Sequence, residues 1–131
     1  MEPLLKSIDS KNEKLSKTQK SEKVPCFIKI SPDENYSVIE KIVALASEQN
    51  ISGIIATNTT CTRPVGKKNY ESGGWSGGEF IERKSNNVIK FIAKLTENKM
   101  PIIGVGGITD TDTASRKLDL GAQLVLSLIH I

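Results

Sequence analysis

The stretch Pro101-Ile-Ile-Gly-Val-Gly-Gly-Ile108 decides the fold class, because an apolar run of strand length leads directly into paired glycines and a helix start. Asp110 or Thr111 can cap the helix that follows, which we predict to run to about Leu120. Glycines let backbone N–H groups approach an anion, and a helix N-terminus adds a partial positive charge. The same glycines also suit a tight turn that needs small residues for packing. The stretch therefore predicts a β-α unit whose junction is either a phosphate site or a packed turn.

The same order of strand and helix recurs along the rest of the chain. The predicted strands are Cys26–Ile30, Ser52–Ala56, Met100–Val105 and Ala122–Val125, and the predicted helices are Tyr36–Gln49, Asn86–Thr96 and Asp110–Leu120. Strands that alternate with amphipathic helices indicate parallel β-α units, so we predict an α/β fold. The loop from Cys61 to about Glu82 is polar and Gly-rich, and loops of that length are usually functional.

The N-terminal segment, residues 1–23, differs in composition from the remainder. The net charge of +3 arises between Lys6 and Lys23, where six Lys face three acidic residues, while the other basic and acidic residues balance. This excess lies in a stretch of low hydrophobicity without interleaved aromatic residues, so we interpret it as a solvated helix or linker and predict no nucleic-acid binding. No apolar run reaches the roughly 20 residues of a membrane-spanning helix.

Polar side chains occur within or directly after the predicted strands. Lys29 lies inside an apolar strand, where its charge is costly unless it faces a polar cavity or reaches the rim of the sheet. A lysine in such a cavity could balance negative charge on a bound cofactor or substrate. The run Thr57-Asn58-Thr59-Thr60 suits either a small planar polar ligand or a turn.

Several motifs of known chemistry are missing from the sequence or incomplete. Cys26 and Cys61 lack metal-ligand spacing and the only His is His130, so we predict no metal site. The sequence also lacks the glycine patterns of dinucleotide and nucleotide triphosphate sites after its first predicted strand. The turn from Gly73 to Gly78 carries one tryptophan and can either fold over a ligand or simply pack as a loop.

Six segments together resemble the class 2, quinone-linked dihydroorotate dehydrogenases. In chain order they are FIKISPD from Phe27, GIIATNTT from Gly53, RP at Arg63, GGWSG from Gly73, PIIGVGGI from Pro101 and DLGAQLV from Asp119. The resemblance runs from about Val24 to Val125. It implies that residues 24–125 are the C-terminal half of a (β/α)8 TIM barrel, with about four of its strands. Residues 1–23 are then a helix end followed by a polar basic linker.

The resemblance implies a reaction and a set of ligands. The family oxidises dihydroorotate to orotate in pyrimidine synthesis, with FMN as hydride acceptor and ubiquinone as terminal acceptor. Lys29 resembles the family lysine beside the flavin, where a positive charge stabilises reduced FMN. By the same resemblance, the residues expected to contact FMN are Lys29, Thr57, Gly77 and Gly107, and those expected to contact the substrate are Asn58 and Thr59.

The chain also departs from the family pattern. The catalytic base of the family is a serine on an earlier loop, so no catalytic residue can be assigned here, and Cys61 is no substitute. Trp75 replaces the Leu of the family's glycine turn. After Val125 the family continues with a Tyr-Thr or Tyr-Ser pair at the FMN phosphate, whereas residues 126–131 read LSLIHI. We interpret 126–131 as a non-native tail and His130 as an unsuitable ligand.

These departures lead to three further expectations. The membrane-docking region of the family lies upstream, so we expect membrane association through a region outside this chain, at the mitochondrial inner membrane if the source is eukaryotic. We expect the chain alone to be inactive, because half a barrel leaves open sheet edges and an uncovered apolar face. The alternative hypothesis is an inactive fragment of another TIM-barrel enzyme that binds phosphate or FMN.

Overall fold

The fold is seen in a computed structural model, which describes residues 1–65 and 73–127. Strands and helices alternate as predicted, and the N-terminal segment predicted as a helix end and polar linker holds one helix that reaches Gln19. The elements are α1 (Glu2–Gln19), β1 (Phe27–Ile30), α2 (Tyr36–Glu48), β2 (Gly53–Ala56), α3 (Gly78–Leu95), β3 (Ile102–Val105), α4 (Thr111–Asp119) and β4 (Leu124–Leu126). The four strands form one parallel sheet in the order β1-β2-β3-β4, so β1 and β4 are its edges.

The two faces of the sheet are covered to different extents. One face carries Ile30, Ile54 and Ile102, which pack with the buried residues of α2 and α3 in a single hydrophobic core. The opposite face carries Phe27, Leu124 and Leu126, whose side chains are 38%, 61% and 44% exposed. Strand alternation puts every second residue on each face, so an apolar face of the sheet remains open to solvent.

Helix α3 begins at Gly78, eight residues before the predicted start at Asn86, so the predicted loop reached too far along the chain. The prediction failed because Glu82 and Ser85 interrupt the apolar pattern of the first turns. Both residues are nevertheless buried, since Glu82 pairs with Arg116 and the Ser85 hydroxyl donates to the Val105 carbonyl at 2.6 Å. Polar residues with satisfied hydrogen bonds can occupy a core position, which the apolar pattern alone does not reveal.

Helix α1 contacts the rest of the fold through Leu5, which is buried, and through Asn12. The Asn12 side chain donates to the Val24 carbonyl at 2.7 Å and accepts from the Val24 N–H at 3.0 Å. Lys23 forms an ion pair with Asp9 at 3.0 Å. These bonds attach the segment that follows α1 to the helix. Among the helices in the described part of the chain, none is both long and apolar enough to cross a membrane.

Candidate functional site

A cavity of about 110 Å³ lies at the carboxyl ends of the strands. Its wall combines the polar ends of the first three strands with the start of α3 and the end of β4. The lining residues are Lys29, Thr57, Asn58, Thr59, Ser76, Ile81, Val105, Gly106, Gly107, Ile108, Leu126 and Ser127. This is the end of a parallel α/β sheet at which ligands bind.

The structure brings together five of the six site residues predicted from the sequence. Lys29, Thr57, Asn58, Thr59 and Gly107 all line the cavity. The sixth, Gly77, does not line it, although the neighbouring Ser76 does. The Gly77 carbonyl instead accepts a hydrogen bond from the Trp75 indole N–H at 2.7 Å. The grouping shows only where the residues lie, so their roles toward a ligand stay predictions.

Lys29 reaches the cavity from the open face of the sheet. Its partner in register on β2 is Ile55, so its ammonium group projects from an otherwise apolar surface. Among the described residues, none accepts a hydrogen bond or forms an ion pair with the Lys29 ammonium. The position matches the predicted polar cavity, and the group is free to balance a negative charge there.

The backbone of the Thr57–Thr60 run is fixed, while two of its side chains remain available. The Thr57 N–H donates to the Val105 carbonyl at 3.1 Å, and the Asn58 N–H donates to the Ile30 carbonyl at 2.7 Å. Thr57 is buried, whereas the side chains of Asn58 and Thr59 are exposed at the cavity. A rigid backbone that presents an amide and a hydroxyl suits a small polar ligand.

The paired glycines fit both explanations that the sequence left open. Gly106 and Gly107 have φ angles of 106° and 70°, a backbone conformation that residues other than glycine rarely adopt. A Cβ on Gly107 would lie 2.5 Å from the Glu82 Cβ, so packing against α3 already requires glycine. Within the described residues, the N–H groups of Gly106, Gly107 and Ile108 donate to no acceptor. Those N–H groups are therefore available to an anion.

Lys117 is a buried residue next to the site that the sequence analysis missed. Its side chain is fully buried, and its Nζ donates to the Ser85 hydroxyl at 2.8 Å and to the Asn86 side-chain oxygen at 2.9 Å. Burial lowers the pKa of Lys117 to about 8; Glu82 opposes this shift, and Arg116 adds to it. Lys117 follows Thr113, which is also buried, by one helical turn, but the sequence marks neither residue as buried.

The available groups fit a ligand that is planar, polar and anionic at one end. The cavity is lined by residues that carry one ammonium, one amide, the hydroxyls of Thr59 and Ser76, and three N–H groups without a partner among the described residues. The volume is small beside the roughly 300–1,000 Å³ of typical ligand pockets. In residues 1–65 and 73–127, no three His, Cys, Asp or Glu side chains are grouped as metal ligands, and His130 lies outside these ranges.

Comparison with known proteins identifies the family. The family profile for dihydroorotate dehydrogenase matches residues 3–127. The chain belongs to the dihydroorotate dehydrogenase family. The dihydroorotate dehydrogenases (quinone) of Chloroflexus aurantiacus and Wigglesworthia glossinidia brevipalpis each align with 93% of this chain, with sequence identities of 39% and 42%. This match argues against an unrelated phosphate-binding barrel.

Solved structures give the same result for the fold. A dihydroorotate dehydrogenase from Eimeria tenella, solved in complex with ferulenol, matches 81% of this chain with a TM-score of 0.72 and 32% identity. The predicted α/β fold is confirmed, since four parallel strands alternating with helices match part of that enzyme's TIM barrel. The chain spans 35% of the Chloroflexus protein and 29% of the Eimeria structure.

Proposed function

We propose that this chain is the cofactor- and substrate-binding part of a protein that oxidises dihydroorotate to orotate, with FMN as hydride acceptor and ubiquinone as terminal acceptor. The observation that carries the proposal is the convergence of Lys29, Asn58 and Gly107 on one cavity at the carboxyl end of the sheet. A generic phosphate-binding barrel needs the glycines but requires neither the lysine nor the asparagine.

Each group around the cavity has a chemical role in this proposal. The free N–H groups of Gly106, Gly107 and Ile108 would hold the FMN phosphate, because a cluster of N–H donors favours an anion. The Lys29 ammonium would stabilise the negative charge of the reduced flavin. The exposed Asn58 amide and Thr59 hydroxyl would orient the pyrimidine by hydrogen bonds. When bound, FMN supplies the acceptor for the hydride.

The proton that leaves dihydroorotate needs a base, and we assign none to this chain. Ser76 and Ser127 line the cavity, but its lining within the described residues includes no His or carboxylate to take the proton from a serine. The proposal therefore keeps the catalytic serine outside the chain. Membrane association, and an inner mitochondrial location for a eukaryotic source, likewise remain predictions about a region outside it.

The 131-residue chain alone should neither bind FMN tightly nor turn over dihydroorotate. Phe27, Leu124 and Leu126 are exposed on the open face, and no strand of the described residues pairs with the outer edge of β1 or β4. A half-open site exposes the ligand to water and loses the enclosing contacts that give affinity. Reduction of a quinone analogue by dihydroorotate and the isolated chain would contradict this prediction.

A chimera tests the proposed function directly. In the Chloroflexus aurantiacus enzyme, the aligned segment is replaced by residues 3–125 of this chain, which leaves out the predicted tail, and the product is purified beside the unaltered enzyme. We expect the chimera to retain FMN, seen in its absorption spectrum, and to reduce a quinone analogue with dihydroorotate. A folded chimera with a native circular dichroism spectrum but without flavin would refute the proposal.

Substitution of Lys29 sharpens the test. We expect Lys29→Ala in the chimera to lower kcat by about a hundredfold, a typical loss for one preorganised electrostatic group. Lys90→Ala is the matched control, because Lys90 is an exposed lysine on the outer side of α3 and does not line the cavity. Equal rates for the two variants would remove Lys29 from the mechanism.

A further inference from the structure

Asp33 accepts three hydrogen bonds, which come from two separate parts of the chain. Its carboxylate accepts from the Thr60 hydroxyl at 2.5 Å, from the Cys61 N–H at 2.7 Å and from the Lys84 ammonium at 2.7 Å. Asp33 itself lies in the loop after β1, Thr60 and Cys61 lie in the loop after β2, and Lys84 lies on α3. One side chain therefore joins the loops of two neighbouring strands to the helix that borders the cavity.

The loop that Asp33 holds carries the predicted substrate contacts. Thr60 and Cys61 directly follow Asn58 and Thr59, and Thr60 is fully buried. On its other side Thr60 exchanges two backbone hydrogen bonds with Trp75, at 2.8 and 3.1 Å. Asp33 and the glycine turn thus fix the C-terminal end of the Thr57–Thr60 run, and the backbone hydrogen bonds to the strands fix its N-terminal end.

Asp33 does not line the cavity. Its side chain is 22% exposed and that of Lys84 is 28% exposed, so water screens their ion pair only in part. Burial alone would raise the pKa of Asp33, but the hydrogen bonds from Lys84, Thr60 and the Cys61 N–H outweigh it and lower the pKa. The carboxylate is therefore charged at neutral pH and able to accept all three bonds.

We infer that Asp33 is a positioning residue, which orients Asn58 and Thr59 for substrate by anchoring Thr60 and Cys61. The inference rests on the proposed function, because it takes Asn58 and Thr59 as substrate contacts. Lys84 assists by holding the carboxylate against α3. Loss of the carboxylate leaves the folded core in place and frees the loop that presents the amide and the hydroxyl.

The test compares Asp33 variants in the chimera. We expect Asp33→Ala to raise the KM for dihydroorotate about tenfold with little change in bound FMN, since hydrogen bonds to a charged group are lost from the loop. Asp33→Asn keeps an acceptor oxygen and should recover part of the affinity. Glu34→Gln is the control, because this neighbouring carboxylate is exposed and, among the described residues, forms no hydrogen bond or ion pair with the loop. A KM for both Asp33 variants equal to that of Glu34→Gln would overturn the inference.

Hydrogen exchange gives a second measurement that does not depend on activity. In the full 131-residue chain, we expect Asp33→Ala to speed exchange of the Cys61 amide at least tenfold, because its acceptor is gone. Amides of β2 should be unaffected. Unchanged exchange at Cys61 would overturn the inference even if Asp33→Ala failed to fold within the chimera. If the unsubstituted chimera lacks flavin while Cys61 responds, the proposed function fails but the anchoring by Asp33 stands.

Discussion

Replacing Lys117 by Met should remove a pH dependence that this buried lysine imposes on the stability of the chain. Lys117 is fully buried, and its pKa falls from the ordinary 10.5 to about 8 because burial disfavours the charged form. Its two acceptors, the Ser85 hydroxyl and the Asn86 oxygen, match the two N–H bonds of a neutral amine. The third N–H of the ammonium form meets no acceptor in the described structure.

The sign and size of the effect follow from proton linkage. Between about pH 8 and 10.5 the unfolded chain still holds the lysine proton, whereas the folded chain has released it. The unfolded state binds more protons in this window, so stability rises with pH there. Below pH 8 the full cost of burying the charge remains. The pKa difference corresponds to a gain of at most about 3 kcal/mol across the window.

Urea unfolding at a series of pH values from 7 to 10, followed by circular dichroism, measures this gain. The free energy of unfolding of the native chain, minus that of Lys117→Met, should grow steadily above pH 8. Groups that titrate in both proteins cancel in this difference. Lys90→Met is the control, because exposed Lys90 on α3 should leave the pH dependence unchanged. Parallel pH profiles for the native chain and Lys117→Met would refute the reasoning.

Three further substitutions test local geometry. An added Cβ at Gly77 meets no atom within 4 Å, so Gly77→Ala should change the free energy of unfolding by less than about 0.5 kcal/mol. If the same substitution makes the chimera lose FMN, the loss therefore reports a contact between Gly77 and the ligand. A Cβ at Gly74 would overlap the Thr59 side chain, so Gly74→Ala should lower the free energy of unfolding of the chain by about 1–3 kcal/mol, as measured by urea unfolding. An unchanged midpoint of the urea transition would contradict this prediction. The Asp110 carboxylate accepts a hydrogen bond from the Thr113 N–H, and this bond lowers the pKa of Asp110. The stability that the charged carboxylate contributes is therefore lost as the pH falls below the ordinary carboxyl range. Asp110→Ala should lower the thermal midpoint at pH 7, and the difference from the native chain should shrink in acid.

The strands were predictable because their signal is local. Each of the four is an apolar run bounded by a proline, a glycine or a polar turn, and the observed strands lie within two residues of the predicted starts and one of the ends. The cap of α4 was predicted as Asp110 or Thr111, and the structure shows that it is Asp110. The grouping of Lys29 with Asn58 and Gly107 followed from parallel strands, whose carboxyl ends meet at one edge.

The partners of buried and anchored polar groups could not be predicted, because they come from distant parts of the chain. Lys117 bonds Ser85, 32 residues away, and Asp33 bonds Lys84, 51 residues away. In the sequence, each resembles an ordinary charged surface residue. The N-terminal turns of α3 were misread for the same reason, since Glu82 and Ser85 find their partners only in the folded chain.

The sequence by itself determined the order of strands and helices, their parallel arrangement and the end of the sheet at which polar residues collect. It also carried the motifs of the dihydroorotate dehydrogenase family. Only the tertiary structure decided which face of the sheet is covered by helices and which stays open. The physical reason is that the strands are apolar on both faces, so side-chain alternation does not distinguish Ile54, which is buried in the core, from Leu124, which is exposed.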